Sequence, residues 1–184
     1  DGNTCIGINS GDTLTDGMYN TFIGRLAGQT STSVQLAVAI GNGAMDSGNV
    51  TTGANGTVAV GSSALSALIS GAENVAVGKS AGATLTTGGA NVLLGWQAAD
   101  ALTDGESHNI AIGSNAMGAV DEGTGNADHN IAIGTNAFLG GDLGSNGDST
   151  GNIAIGGTAL ASTGTAAFTG SIAIGHQALT AQTA

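Results

Sequence analysis

The stretch from His129 to Phe138 reads His-Asn-Ile-Ala-Ile-Gly-Thr-Asn-Ala-Phe. Twenty-one residues earlier, His108 to Met117 reads His-Asn-Ile-Ala-Ile-Gly-Ser-Asn-Ala-Met, and the pattern returns from Asn152 to Leu160. A repeat of this length dictates the fold class before any local propensity is considered. Its anchor is a glycine preceded by two apolar residues at alternate positions. The anchors are Gly7, Gly24, Gly41, Gly61, Gly78, Gly95, Gly113, Gly134, Gly156 and Gly175, spaced 17 to 22 residues apart. Three residues after the anchor stands Ala in nine of ten repeats; the first has Ser10. Four residues before it stands Asn3, Asn20, Asn74, Asn91, Asn109, Asn130 or Asn152, with Thr57 and Ser171 as polar substitutes and Ala37 as the one break.

Each anchor follows a triplet such as Val-Ala-Val or Ile-Ala-Ile. Alternating β-branched residues and Ala mark a short strand, and Gly permits the bend that follows. The x-x-Ala-Leu segment, as in Ser62-Ser63-Ala64-Leu65, reads as a second short strand. Two strands and two bends close one coil. The expected fold is therefore an all-β parallel β-solenoid, a β-roll of about ten short coils in a single repeat domain over residues 1–184. The rival is an α-solenoid built on the Ala-Leu segments, but Gly this frequent weakens helices by ~1 kcal/mol per residue. Composition agrees with stacked thin layers. There are 34 Gly and no Pro, hydrophobic residues make up 41% and aromatics only 3%.

In each triplet the first and third residues face one side and the middle residue the other. The middle residues are Cys5, Phe22, Ala39, Ala59, Ala76, Leu93, Ala111, Ala132, Ala154 and Ala173, none of them polar. Strands open to water on one face alternate apolar with polar, so these strands are expected to be covered on both faces. One two-stranded coil covers a single face. The other is assigned to further copies of the chain, with Ala39, Ala59, Ala76, Ala111, Ala132, Ala154 and Ala173 as a flat self-complementary oligomer face. The Asn column is read as structural, because Asn bonds to nearby backbone and stacks in ladders.

The motif Asn-Ile-Ala-Ile-Gly-x-x-Ala resembles the head repeat of trimeric autotransporter adhesins. Forms such as Asn20-Thr21-Phe22-Ile23-Gly24 resemble repeats of bacteriophage tail-fibre proteins. The resemblance runs from Gly7 to Ala178. It implies a left-handed parallel β-roll, three chains around a common axis, and an extracellular place on a cell surface or virion tail. This chain departs from the adhesin heads in its longer, less uniform repeats and in lacking the basic neck and coiled-coil stalk.

The formal charge is −11, with Arg25 and Lys79 the only fixed cations. That excludes a phosphate-backbone binder and argues against an anionic membrane surface. Cys5 is alone, so no intrachain disulfide forms. No signal peptide and no apolar run long enough to cross a bilayer is present, so an exported protein would take its targeting segment from outside this stretch.

No catalytic constellation stands out, and the expectation is a non-enzymatic chain without a cofactor. Insertions fall in Asp46–Gly56, Gly118–Asp128 and Gly140–Gly151, which places a ragged, polar edge along the stack. Asp121, Asp128, Asp142 and Asp148 in these loops are weak Ca²⁺ candidates, though no EF-hand loop or calcium nonapeptide is present. His108 and His129 stand at the same place in neighbouring repeats, and Asp128-His129 with Asp104 or Glu106 is a possible metal cluster. Asn49-Val50-Thr51 and Asn55-Gly56-Thr57 fit the glycosylation sequon. Trp96 either packs at an oligomer seam or sits exposed.

The expected function is an extracellular structural and adhesive module, a homotrimeric fibre shaft or head whose loops meet a host-cell receptor or glycan. The alternatives are an end-to-end filament, since neither terminus carries a polar cap, and a flat-faced, ice-binding-like solenoid.

Overall fold

In the computed structural model the described residues are 2–46, 49–120, 126–140, 148–161 and 169–180. Ten three-residue strands, one per repeat, form one parallel sheet in simple sequence order. They are β1 (Thr4–Ile6), β2 (Thr21–Ile23), β3 (Val38–Ile40), β4 (Val58–Val60), β5 (Val75–Val77), β6 (Val92–Leu94), β7 (Ile110–Ile112), β8 (Ile131–Ile133), β9 (Ile153–Ile155) and β10 (Ile172–Ile174). The fold is a parallel β-solenoid. Among the described residues the sole helical element is a 3₁₀ turn at Thr52–Ala54, within one of the longer repeats. Among the described residues no α-helix is present to support an α-solenoid.

Register follows the anchors: Ala111 pairs with Ala132, and Ala132 with Ala154. Residues at equivalent positions thus stack in columns from turn to turn. The x-x-Ala-Leu segment is not the second strand that its composition suggests. It is a run of turns, with φ positive two and four residues after the anchor, for example at Ser63 (57°) and Leu65 (49°). The third residue closes a tight turn, as where the Ala64 N–H donates to the Gly61 carbonyl. Left-handed conformation costs an L-residue roughly 1–2 kcal/mol. It recurs because these turns also bond to their neighbours: the Leu65 N–H donates to the Ala81 carbonyl, and Ser63 to Asn42.

The anchor glycine meets two demands at once. Gly78 has φ +141°, and a Cβ placed there would lie 2.2 Å from the Gly95 carbonyl oxygen. The same close approach recurs from Gly7 to Gly156. No other residue fits between turns this close.

At the Asn corner the side chain acts as a substitute peptide. Asn91 Nδ2 donates to the Glu106 carbonyl at 2.8 Å, while its Oδ1 accepts the Asn109 N–H at 2.9 Å. Asn109 and Asn130 repeat the arrangement, and Asn152 Oδ1 accepts the Ser171 N–H. Asn74, Asn91, Asn109, Asn130 and Asn152 are completely buried. Ala37 has no side-chain amide to continue the column, although its own N–H donates to Asn20 Oδ1 and its carbonyl accepts the Thr21 N–H.

The triplets are turned the opposite way from the sequence reading. Ala39, Ala59, Ala76, Ala111, Ala132, Ala154 and Ala173 point into the solenoid, at 0–2% exposure within a single chain. They cannot form a face between chains. The β-branched residues on either side point outward and are only half-buried. Volume explains this inversion. The interior is narrow and is filled from the opposite wall by the residue four after the anchor: Met45, Leu65, Met117, Phe138 and Leu160, all buried. Each faces an Ala strand. Where the strand carries a large residue instead, the opposite wall shrinks. A Cβ on Gly28 would lie 2.6 Å from the Phe22 ring; Leu93 is faced by the small Ala99 in its own repeat and reaches toward Gly82 of the preceding one, where a Cβ would lie 2.7 Å from Leu93 Cδ1.

Replacing Asn91 by Ala leaves a buried N–H and a buried carbonyl without partners, and should cost about 3 kcal/mol in urea unfolding. Ala132→Leu places a second large side chain opposite Phe138 and should cost about 1–3 kcal/mol. Unchanged stability of Ala132→Leu would return the Ala column to the outer surface.

Candidate interaction face

With Ala inside, the outer surface of the sheet consists of two apolar columns. One runs Thr4, Thr21, Val38, Val58, Val75, Val92, Ile110, Ile131, Ile153, Ile172. The other runs Ile6, Ile23, Ile40, Val60, Val77, Leu94, Ile112, Ile133, Ile155, Ile174. Exposure reaches 40% at Val77 and 67% at Ile174. A continuous apolar strip of this kind is a candidate interaction surface.

Two columns border the strip. Five residues before each anchor the backbone is again left-handed, and here stand Tyr19, Leu36, Glu73, Ala90, His108 and His129. One residue after each anchor stand Ile8, Arg25, Asn42, Lys79, Trp96, Thr135 and His176, all exposed. Trp96 is therefore an open side chain beside the strip rather than part of the core. No family model, curated protein or solved structure matches the chain.

The polar candidates behave as structural groups. His108 and His129 stack face to face, with ring centroids 4.8 Å apart and planes within 3°. Asp128 Oδ1 accepts the Ser107 N–H at 2.7 Å, and Asp148 Oδ1 accepts the Asn126 N–H at 3.0 Å. Asp104 accepts the Thr86 hydroxyl. Each of these carboxylates bridges successive turns. Asp121 and Asp142 lie outside the described residues. Among the described residues no group of three or more His, Cys, Asp or Glu is arranged to hold a metal ion.

The threonines of the turns are similarly engaged. Thr13 donates to the Gln29 carbonyl, Thr15 to Thr32, Thr30 to Asp46 and Thr84 to Leu102. An ice-binding-like surface needs a ladder of hydroxyls free to meet water, and these hydroxyls are committed to the next turn.

The sequence offered Glu106 only as a possible metal ligand beside Asp128 and His129 and did not anticipate its burial. Glu106 stands seven residues before its anchor, where other repeats place Gly17, Val34, Ala54, Gly71, Gly88, Ala127 and Ser149. Its side chain is 3% exposed, and Oε2 has no hydrogen-bond partner. Burial, with a smaller contribution from Asp104 and Asp128, pushes its carboxyl up from 4.5 to about 7 against the opposing pull of backbone hydrogen bonds. The signal available in the sequence was its column, which is otherwise small or apolar.

The fold thus accepts Glu106 as the neutral acid. Its stabilisation is complete below the unfolded value of 4.5 and is lost as pH rises through about 7. Glu106→Gln should raise the urea midpoint at about pH 8 and leave it nearly unchanged at about pH 4. Parallel pH profiles for the two proteins would show that this carboxyl is solvated and ordinary.

Proposed function

We propose that this chain is a non-enzymatic extracellular structural and adhesive module, the rigid shaft or head of a trimeric fibre. The observation that carries the reading is the outward apolar strip, two columns stacked in register along the sheet and made of Val, Ile and Leu except at Thr4 and Thr21. Three copies with these strips turned toward a common axis remove them from water, and closed rotational symmetry needs no further partner. The oligomer face is accordingly the Val and Ile columns, with Ala reserved for the interior of each chain.

The mechanical side of the role rests on the bonds between turns. Backbone ladders, the Asn column and the Thr hydroxyls tie each turn to the next, so the stack resists bending and sets reach. The longer connections, including Asp46–Gly56, give the surface its variable groups and are the contact points for a host-cell receptor or glycan. The resemblance of Asn130-Ile131-Ala132-Ile133-Gly134 to adhesin-head and tail-fibre repeats supports the same assignment.

Light scattering coupled to size exclusion should give a constant mass of three chains across concentrations. Ile133→Asp places a carboxylate in the strip and should yield a folded monomer with an unchanged far-UV spectrum. A wild-type monomer would overturn the trimeric reading. A mass that climbs with concentration would favour filament growth.

A further inference from the structure

The border columns carry a pattern that the apolar strip does not explain. Both fixed cations of the chain, Arg25 and Lys79, stand in the column after the anchor, on one side of the strip. On the other side, in the same two repeats, stand Tyr19 and Glu73. Lys79 and Glu73 are six residues apart across an extended segment, roughly 20 Å, so they cannot pair within one chain. Among the described residues neither belongs to an ion pair, both are exposed, and Glu73 leans over Gly56, whose Cβ position lies 3.9 Å from its Cγ. The Tyr19 ring is laid over Gly2 in the same manner, with Cδ1 2.8 Å from that Cβ position, and Tyr19 remains 62% exposed. The repeat that holds Trp96 on the first side holds the small Ala90 on the second.

We infer that the partner of this face is a second copy of the same chain, docked side by side and parallel, with Lys79 of one copy paired to Glu73 of the next. The inference rests on the oligomeric reading above and adds its seam. Symmetry does most of the selection. Rotation about an axis parallel to the stack leaves every repeat at its own height, so each repeat meets the identical repeat of its neighbour. The right border of one copy then abuts the left border of the next. Lys79 meets Glu73, Arg25 meets the open face of the Tyr19 ring, and Trp96 lies over Ala90. An antiparallel pair would set each of these repeats against a different one and lose all three matches.

Size is consistent with a stable contact. Ten strands about 4.8 Å apart and a width of roughly 20 Å give an area near 900 Å² per copy, the range of specific protein interfaces. Charge sets register in such contacts, because like charges facing each other are strongly disfavoured.

The test is a charge exchange. Glu73→Lys, Lys79→Glu and the double exchange are compared with wild type by sedimentation velocity over a dilution series, in low salt. Each single exchange should raise the concentration of half-assembly at least tenfold, and the double exchange should return it to within threefold of wild type. Both residues are exposed, so far-UV spectra should not change. In a Cys5→Ser background, Glu73→Cys combined with Lys79→Cys should give covalent closed multimers with a short bismaleimide, while either cysteine alone should not. An assembled wild type whose single exchanges have no effect, or whose double exchange fails to rescue, together with absent cross-linking, overturns the seam but leaves the oligomer standing. A monomeric wild type overturns both.

Discussion

The hydrogen bonds between successive turns are what the rest of this structure depends on. Once each turn is bonded to the next at strand spacing, every position of the repeat becomes a column, and each column must tolerate its own residue stacked upon itself. The anchor glycine follows from that rule, because the backbone of Gly78 approaches Gly95 too closely for any Cβ. So does the Asn column. At that corner the side-chain amide of Asn91 takes over the donor and acceptor of a peptide bond, and ties its own turn to the Glu106 carbonyl and the Asn109 N–H of the next. Positive φ at residues such as Leu65 and Phe138 is the conformational cost of the same rule. It is offset because those side chains are the ones that fill the interior.

The interior shows how a narrow cross-section is packed with almost no aromatic residues. Its two walls are complementary. Phe22 is matched by Gly28 in its own repeat, Leu93 reaches into the room that Gly82 leaves in the preceding repeat, and the Ala39, Ala59, Ala111, Ala132 and Ala154 strands meet Met, Leu or Phe. Glu106 departs from this economy by placing a carboxyl among small residues, which is why its titration is displaced while that of a surface acid would not be. The price of a thin core is that one face of the sheet stays apolar and open, since a single stack has only one inside. That leftover strip, bordered by two mixed columns of which one holds both fixed cations, is the feature around which the functional reading is built.

Much of this was legible in the linear sequence. The anchors, the ten triplet strands, their parallel order, the structural role of Asn and the stacking of His108 on His129 all follow from a repeat of 17 to 22 residues with fixed spacing inside it. The second strand was misjudged, since Ala-Leu segments have strand-like composition while their backbone alternates between left- and right-handed turns held by neighbouring turns. The Ca²⁺ and metal candidates carried suitable ligands, but Asp128 and Asp148 spend them on backbone N–H groups of the preceding turn.

By itself the sequence determined that Val-Ala-Val and Ile-Ala-Ile triplets are strands with two distinct faces, one of Ala and one of β-branched residues. Only the tertiary structure decided which face is inside. Alternation defines two sides without naming either, and the larger side chains seemed the natural core. The answer depended on what the opposite wall contributes: with Met45, Leu65, Met117, Phe138 and Leu160 already occupying the interior, there is room only for Ala, and the Val and Ile columns are left facing outward.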